Sequence, residues 1–183
     1  MITTKKELYE YINADNSWFS PKSVMDKLIA RFTRYPAYEL KRYLIYLRKQ
    51  EYYVNTARNN KFKGAIGLFY ERKKNKLGAK LGIEIGPNCF EKGVQIYHGN
   101  IIVNPMVRVG EYCKLHGNNC IGNNGIVDLS PILGDGVDVG FGAVIIGNIN
   151  IPNNTVIGAN ALVNRSLEKT DSVIAGVPAK VIR

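Results

Sequence analysis

The sequence predicts a parallel β-helix preceded by a small, basic α-helical region, and three observations carry that expectation. First, from Ile85 to Val163 one position in six repeats: Ile85, Glu91, Tyr97, Val103, Val109, Leu115, Ile121, Val127, Leu133, Val139, Ile145, Ile151, Ile157 and Val163, of which twelve of fourteen are aliphatic. A helix repeats near 3.6 residues and a strand near 2, so a step of six belongs to a repeat array. Second, glycine often follows (Gly86, Gly110, Gly122, Gly134, Gly140, Gly158), as turns with positive φ or close backbone approach require. Third, charge divides the chain: residues 1 to 80 carry 18 Lys/Arg and 7 Asp/Glu, a net +11, whereas residues 81 to 183 carry 7 and 8, a net −1.

Taken in order, Thr4-Lys5-Lys6-Glu7 has the capping-box pattern, so a short helix starts there and ends around Asn13 to Asn16. Ser20-Pro21 resembles a second helix start, with Val24, Leu28 and Phe32 continuing at i, i+4 and i+8 until Tyr35-Pro36 stops it. A third helix from about Ala37 to Ala57 places Leu40, Tyr43, Leu44, Leu47 and Val54 on one stripe, with Lys41, Arg42, Arg48 and Lys49 on the basic opposite face. Residues 58 to 80 read as a linker enclosing a short helix.

The repeat begins by Ile83. Three short strands and three turns make one coil, so residues eighteen apart stack at one strand spacing, about 4.8 Å. A lone coil cannot cover its interior face; neighbouring coils supply the core. The period fails at Arg165 to Asp171, and Val173 to Arg183 is expected to cap the open end. The expected organisation is therefore 1–80 helical, 81–168 β-helix and 169–183 tail, with a loop near Asp128 within 127–132.

Composition narrows the function. Cys89, Cys113 and Cys120 form no CxxC pair and read as small buried thiols. Lys5, Lys6, Glu7 and Glu10 interrupt any N-terminal apolar run, so a cytoplasmic protein is expected. The basic front is either a solvated helical surface or a platform for an anionic partner, including peripheral contact with a membrane surface; no nucleic-acid module accompanies it.

Only two histidines exist, His98 and His116, and their separation of eighteen predicts one column in adjacent coils. A zinc site of three histidines is thereby excluded, and with it a γ-type carbonic anhydrase; no metal is expected.

The six-residue step, Ile157-Gly158-Ala159-Asn160-Ala161 and the ending Ala175-Gly176-Val177-Pro178-Ala179-Lys180 resemble hexapeptide acyltransferases, and the order of motifs is similar to serine acetyltransferases over residues 81 to 183. The resemblance implies a left-handed β-helix, acetyl-CoA as donor and a homotrimer with sites between subunits. His98-Gly99-Asn100-Ile101-Ile102-Val103-Asn104 looks like the segment carrying the family's general base, which implies that role for His98. Glu84-Ile85-Gly86-Pro87 is the nearest match to the segment that orients the base, so Glu84 is either that partner or a solvated charge. His116 either orients the acceptor or is a polar turn residue. Gly142, Ala143, Gly158 and Ala159 match small positions along the pantetheine groove, and Lys180 and Arg183 are placed to meet CoA phosphates.

Departures bear on the acceptor. The family's Asp-Arg-His-Pro segment is Asp128-Leu129-Ser130-Pro131 here, and the aspartate before its base is Tyr97. With the cations gone, a saccharide hydroxyl of a cell-surface polysaccharide precursor is the expected acceptor, bound by Tyr97, Asn100 and Asp128. Serine is the enzymatic alternative and a non-catalytic trimeric scaffold the alternative of another class.

Overall fold

The computed structural model describes residues 1–18, 23–58, 60–126 and 129–183. Among these residues four helices come first: α1 (Lys5–Asn16), α2 (Val24–Phe32), α3 (Pro36–Ala57) and α4 (Lys61–Leu81). Fourteen short strands follow: β1 (Ile83–Ile85), β2 (Gln95–Ile96), β3 (Ile101–Val103), β4 (Arg108–Val109), β5 (Lys114–Leu115), β6 (Cys120–Gly122), β7 (Ile132–Leu133), β8 (Asp138–Val139), β9 (Val144–Ile146), β10 (Asn150–Ile151), β11 (Val156–Ile157), β12 (Leu162–Val163), β13 (Val173–Gly176) and β14 (Ala179–Val181). They form three walls, ordered β1-β3-β6-β9-β12 (wall A), β4-β7-β10 (wall B) and β2-β5-β8-β11-β13-β14 (wall C). Successive strands step from wall to wall and every ladder except β13–β14 is parallel, giving a left-handed parallel β-helix.

The interior is one apolar column set, including Ile85, Ile96, Val109, Leu115, Ile121, Leu133, Val139, Ile145, Ile157 and Ile174. Each such side chain contributes about 1.5–3 kcal/mol by leaving water. Glu91 and Tyr97, the two exceptions to the repeat, are not inward at all. Phe90 and Ile96 take those places, 3% and 0% exposed, because the first coil is one residue short between walls A and B. The slip has a consequence for register. Wall A starts with eighteen between partners (Ile83↔Ile101), whereas Phe90↔Val109 and Ile96↔Leu115 are nineteen apart.

A second irregularity lies between β6 and β7. Arg108↔Ile132, Lys114↔Asp138 and Cys120↔Val144 are all twenty-four apart, so the wall runs past six residues that belong to an arm over 123–131. Residues 123–126 and 129–131 belong to no strand, and Val127 and Asp128, where the loop was expected, lie outside the described residues.

Of the glycines after the inward residues, Gly110, Gly134, Gly140 and Gly158 serve close packing, and none of the six has positive φ. A β-carbon on Gly140 would stand 2.6 Å from the Ile157 carbonyl oxygen of the next coil. Left-handed backbone falls instead on corner residues such as Asn100, Asn118 and Asn160 (φ 59, 54 and 55), the side chain that tolerates it best after glycine.

The helical region differs from expectation in several places. The start and end of α1 do not: the Thr4/Glu7 capping box is present and α1 ends at Asn16, within the expected Asn13 to Asn16. Ser23, whose hydroxyl accepts from the Asp26 N–H, caps α2; Ser20 and Pro21 lie outside the described residues. The Val24, Leu28 and Phe32 stripe is exposed, and Val54 of α3 is half-exposed. Residues 61 to 81 form one continuous helix, α4, packed along α3 and ended by Gly82 at φ 69.

Arg48 is not on a basic outer face: it is wholly buried and ties the helices to the first coil. Its Nε donates to Asp15 Oδ2 (2.7 Å), its Nη1 reaches Glu51 Oε2 (2.9 Å) and the Phe90 carbonyl (2.7 Å), and its Nη2 reaches the Glu91 carbonyl (2.7 Å). Asp15 Oδ1 in turn accepts from the Gly93 and Val94 N–H groups. Two carboxylates beside the guanidinium raise its pKa against a large burial penalty. Among the described residues no helix is long and apolar enough to cross a membrane.

Candidate active site

Each coil turns from wall C to wall A at the same edge, and the sequence places its chemistry there. His98 stands between β2 and β3, His116 between β5 and β6, Gly142 between β8 and β9, and Ala159 between β11 and β12. Stacking of coils therefore lines these four positions along one edge of the prism.

The two imidazoles do not share a column. With Ile96 paired to Leu115, Tyr97 stands over His116, ring centroids 4.9 Å apart, and His98 stands over Gly117. A β-carbon on Gly117 would come within 2.6 Å of the His98 Cβ, so glycine is what lets this corner close beneath the histidine. The eighteen-residue spacing thus yields neighbours on a diagonal, displaced by the one-residue slip of the first coil. His98 is exposed and His116 half-buried.

His116 has a carboxylate partner that sequence reasoning did not find. Its Nε2 lies 2.8 Å from Asp138 Oδ1, and Lys114 Nζ is 3.6 Å from Asp138 Oδ2. The signal for that pairing is the twenty-four-residue step, visible only once the arm is removed from the count. The Tyr97 hydroxyl donates to Gln95 Oε1 (2.8 Å), and Trp18, just beyond α1, meets the Tyr97 ring edge-on at 5.6 Å.

Glu84 is not the partner of His98. It lies on β1 opposite Ile102, exposed on the outer face of wall A, and lines a cleft with Lys74, Asn75 and Ile102 against α4. Strand alternation sends it out from the wall, and among the described residues it forms no hydrogen bond or ion pair with the imidazole. Asn100 is a corner residue whose Oδ1 sits where a β-carbon on Gly82 would be, 2.2 Å away, so it closes a turn. Asp128 lies outside the described residues.

Of the small residues expected to meet the donor, Gly142 and Ala159 are on the edge, but the Ala143 side chain is fully buried in the core and has no free surface. Gly158 lies in an outward row of wall C. That row continues in register from Tyr97 and His116 through Gly140, Gly158 and Ala175 to Lys180. Between His116 and Lys180 it carries nothing larger than a methyl, and the two ends lie four strand spacings apart, about 19 Å. Lys180 is exposed at its far end, and Arg183, also exposed, donates its N–H to the Val173 carbonyl (3.4 Å).

Cys89 and Cys113 are buried and Cys120 half-buried. Burial pushes the Cys113 thiol up to about 12, which makes it inert as a nucleophile.

No protein-family model matches the chain. In sequence it is similar to the serine acetyltransferase of Synechococcus elongatus, 34% identical over 105 residues that make up 55% of this chain and 43% of that one. The chain spans about half the length of the curated relatives it matches. In fold it is similar to soybean serine acetyltransferase complexed with serine, with a TM-score of 0.72, 20% identity and coverage of 97% of this chain and 70% of that one. A serine acetyltransferase in complex with CoA matches equally, with a TM-score of 0.72 and 20% identity over 97% of this chain and 71% of that one.

Proposed function

We propose that the protein is an acetyl-CoA-dependent O-acetyltransferase, active as a homotrimer, with His98 as general base. The observation that carries this reading is the single edge on which His98, the His116–Asp138 pair and the small-residue row ending at Lys180 come together. A thioester carried along the row presents its carbonyl carbon near the histidines, and the cations at the far end, Lys180 and Arg183, face the donor's phosphates.

In the reaction the acceptor hydroxyl oxygen attacks the thioester carbon while its proton passes to the neutral imidazole of His98. The tetrahedral intermediate collapses, the carbon–sulfur bond breaks and the thiolate leaves as CoA, taking from the His98 imidazolium the proton it had accepted. His116, held by Asp138 through Nε2, keeps a fixed orientation beside the acceptor, with Tyr97 as a wall. Ala143 and Glu84 have no part in this scheme.

The acceptor reading follows the relatives, whose names specify serine, in preference to the saccharide expected from the loss of the arginine and histidine in Asp128-Leu129-Ser130-Pro131. A sugar of a polysaccharide precursor is the second reading, favoured by the Trp18–Tyr97 aromatic pair, since aromatic faces suit sugar rings. Release of free thiol from acetyl-CoA, measured with L-serine and with sugar acceptors, decides between them. Absence of acetyl transfer to any hydroxyl would leave the scaffold reading standing.

A further inference from the structure

Five of the eighteen Lys/Arg of the first eighty residues line one cleft. α4 presents Lys73, Lys76 and Lys80 at i, i+3 and i+7 toward α3, and Arg34 and Arg42 face them across a cleft of about 380 Å³. Tyr46, Leu77 and Leu81 complete the lining, and Glu39 is its one acid. That carboxylate is already committed, with Arg42 Nη1 at 2.8 and 3.0 Å from its two oxygens. Among the described residues no carboxylate pairs with Arg34, Lys73, Lys76 or Lys80. Lys73 rests over the Phe69 ring, 4.5 Å from its centroid, which orders the ammonium without neutralising it.

Arg34 adds a separate observation. It ends α2 in left-handed backbone, φ 52, where a helix stop ordinarily takes glycine, with the Tyr35 N–H returning to the Ala30 carbonyl. A residue with a side chain at that position is strained, and its guanidinium lines the rim of the cleft.

We propose that this cleft between α3 and α4 binds a phosphate-bearing anion. Four uncompensated cations in one concave site repel one another and focus the field on any multivalent anion that enters. Guanidinium and ammonium groups on several sides match the oxygens of a phosphate, and the Leu77–Leu81 floor with Tyr46 accommodates an apolar or ring portion of the same ligand. The anion is either a soluble phosphorylated molecule or the headgroup of a phospholipid, which share this chemistry.

The test uses the full chain and inorganic pyrophosphate, with sodium chloride at matched ionic strength as the reference. Pyrophosphate is expected to raise the Tm by several degrees more than chloride, with one site per chain by calorimetric titration. The doubly substituted Lys76→Ala/Lys80→Ala chain, altered only at exposed positions, is expected to bind about tenfold more weakly or worse. Lys63→Ala, on α4 but outside the cleft, retains binding. Co-sedimentation with phosphatidylcholine vesicles containing phosphatidylglycerol separates the sources. Vesicle binding that pyrophosphate competes away and the double variant lacks assigns the site to a headgroup, whereas pyrophosphate binding alone assigns it to a soluble ligand. A Tm shift that follows ionic strength only, or equal binding by the double variant and Lys63→Ala, overturns the proposal. Acetyl transfer does not enter any of these measurements.

Discussion

At the scale of single residues, His98 is an exposed imidazole standing over a glycine at the corner of a coil, with its neighbour Tyr97 packed on His116. His98→Ala is expected to lower turnover by about 10² or more, the usual contribution of a positioned base, measured by thiol release under saturating acetyl-CoA. Asp138→Asn keeps the side-chain shape but weakens a charge-assisted hydrogen bond to His116; kcat/KM for the acceptor is expected to fall about tenfold. Because the pair is partly exposed, thermal stability is expected to stay put, which separates this role from a structural one. That the two histidines, Gly142 and Ala159 fall on one edge was legible in the sequence from their order, but the shared column expected from the histidine spacing was not, because the first coil slips by one residue. Asp138 was not. Its partnership depends on six extra residues in the count between β6 and β7, and a steady aliphatic step through Val127 hides them.

At the scale of elements, the contact between the helices and the first coil depends on one buried arginine. Asp15→Ala removes a carboxylate from Arg48 and leaves the Gly93 and Val94 N–H groups without their acceptor. Breaking such a pair costs about 3–5 kcal/mol, to be read from urea unfolding. The basic residues of α3 looked alike by composition, and the heptad-like stripe did not mark Arg48 as inward; only the packing of α1 and the first coil against it does. The cap of α1 responds to pH in the opposite manner to a buried cation. Glu7 accepts from the Thr3 N–H, the Thr4 N–H and the Thr3 hydroxyl, which holds its pKa down to about 2 from an ordinary 4.5. The folded state therefore binds fewer protons at Glu7 than the unfolded state, so the stabilisation is complete above 4.5 and is lost as pH falls toward 2. Acid titration of stability is expected to flatten over that interval in Glu7→Gln.

At the scale of the whole molecule, the site lies on an outer edge with one side open, and the proposed function assigns the missing side to a second copy of the chain. Sedimentation at working concentration is expected to give a trimer, and loss of activity on dilution should track dissociation. The walls themselves were legible because a period of six admits few other solutions. Their offsets were not, because a slip of one residue near Phe90 and an arm of six after Gly122 alter register without altering composition.

The segment between β6 and β7 has both ends fixed by ladders that do not depend on what lies between. Doubling the length of such a closed excursion costs only about 0.6 kcal/mol. The stack is therefore a frame with an interchangeable fitting: segments of other sizes grafted after Gly122 leave every rung where it was.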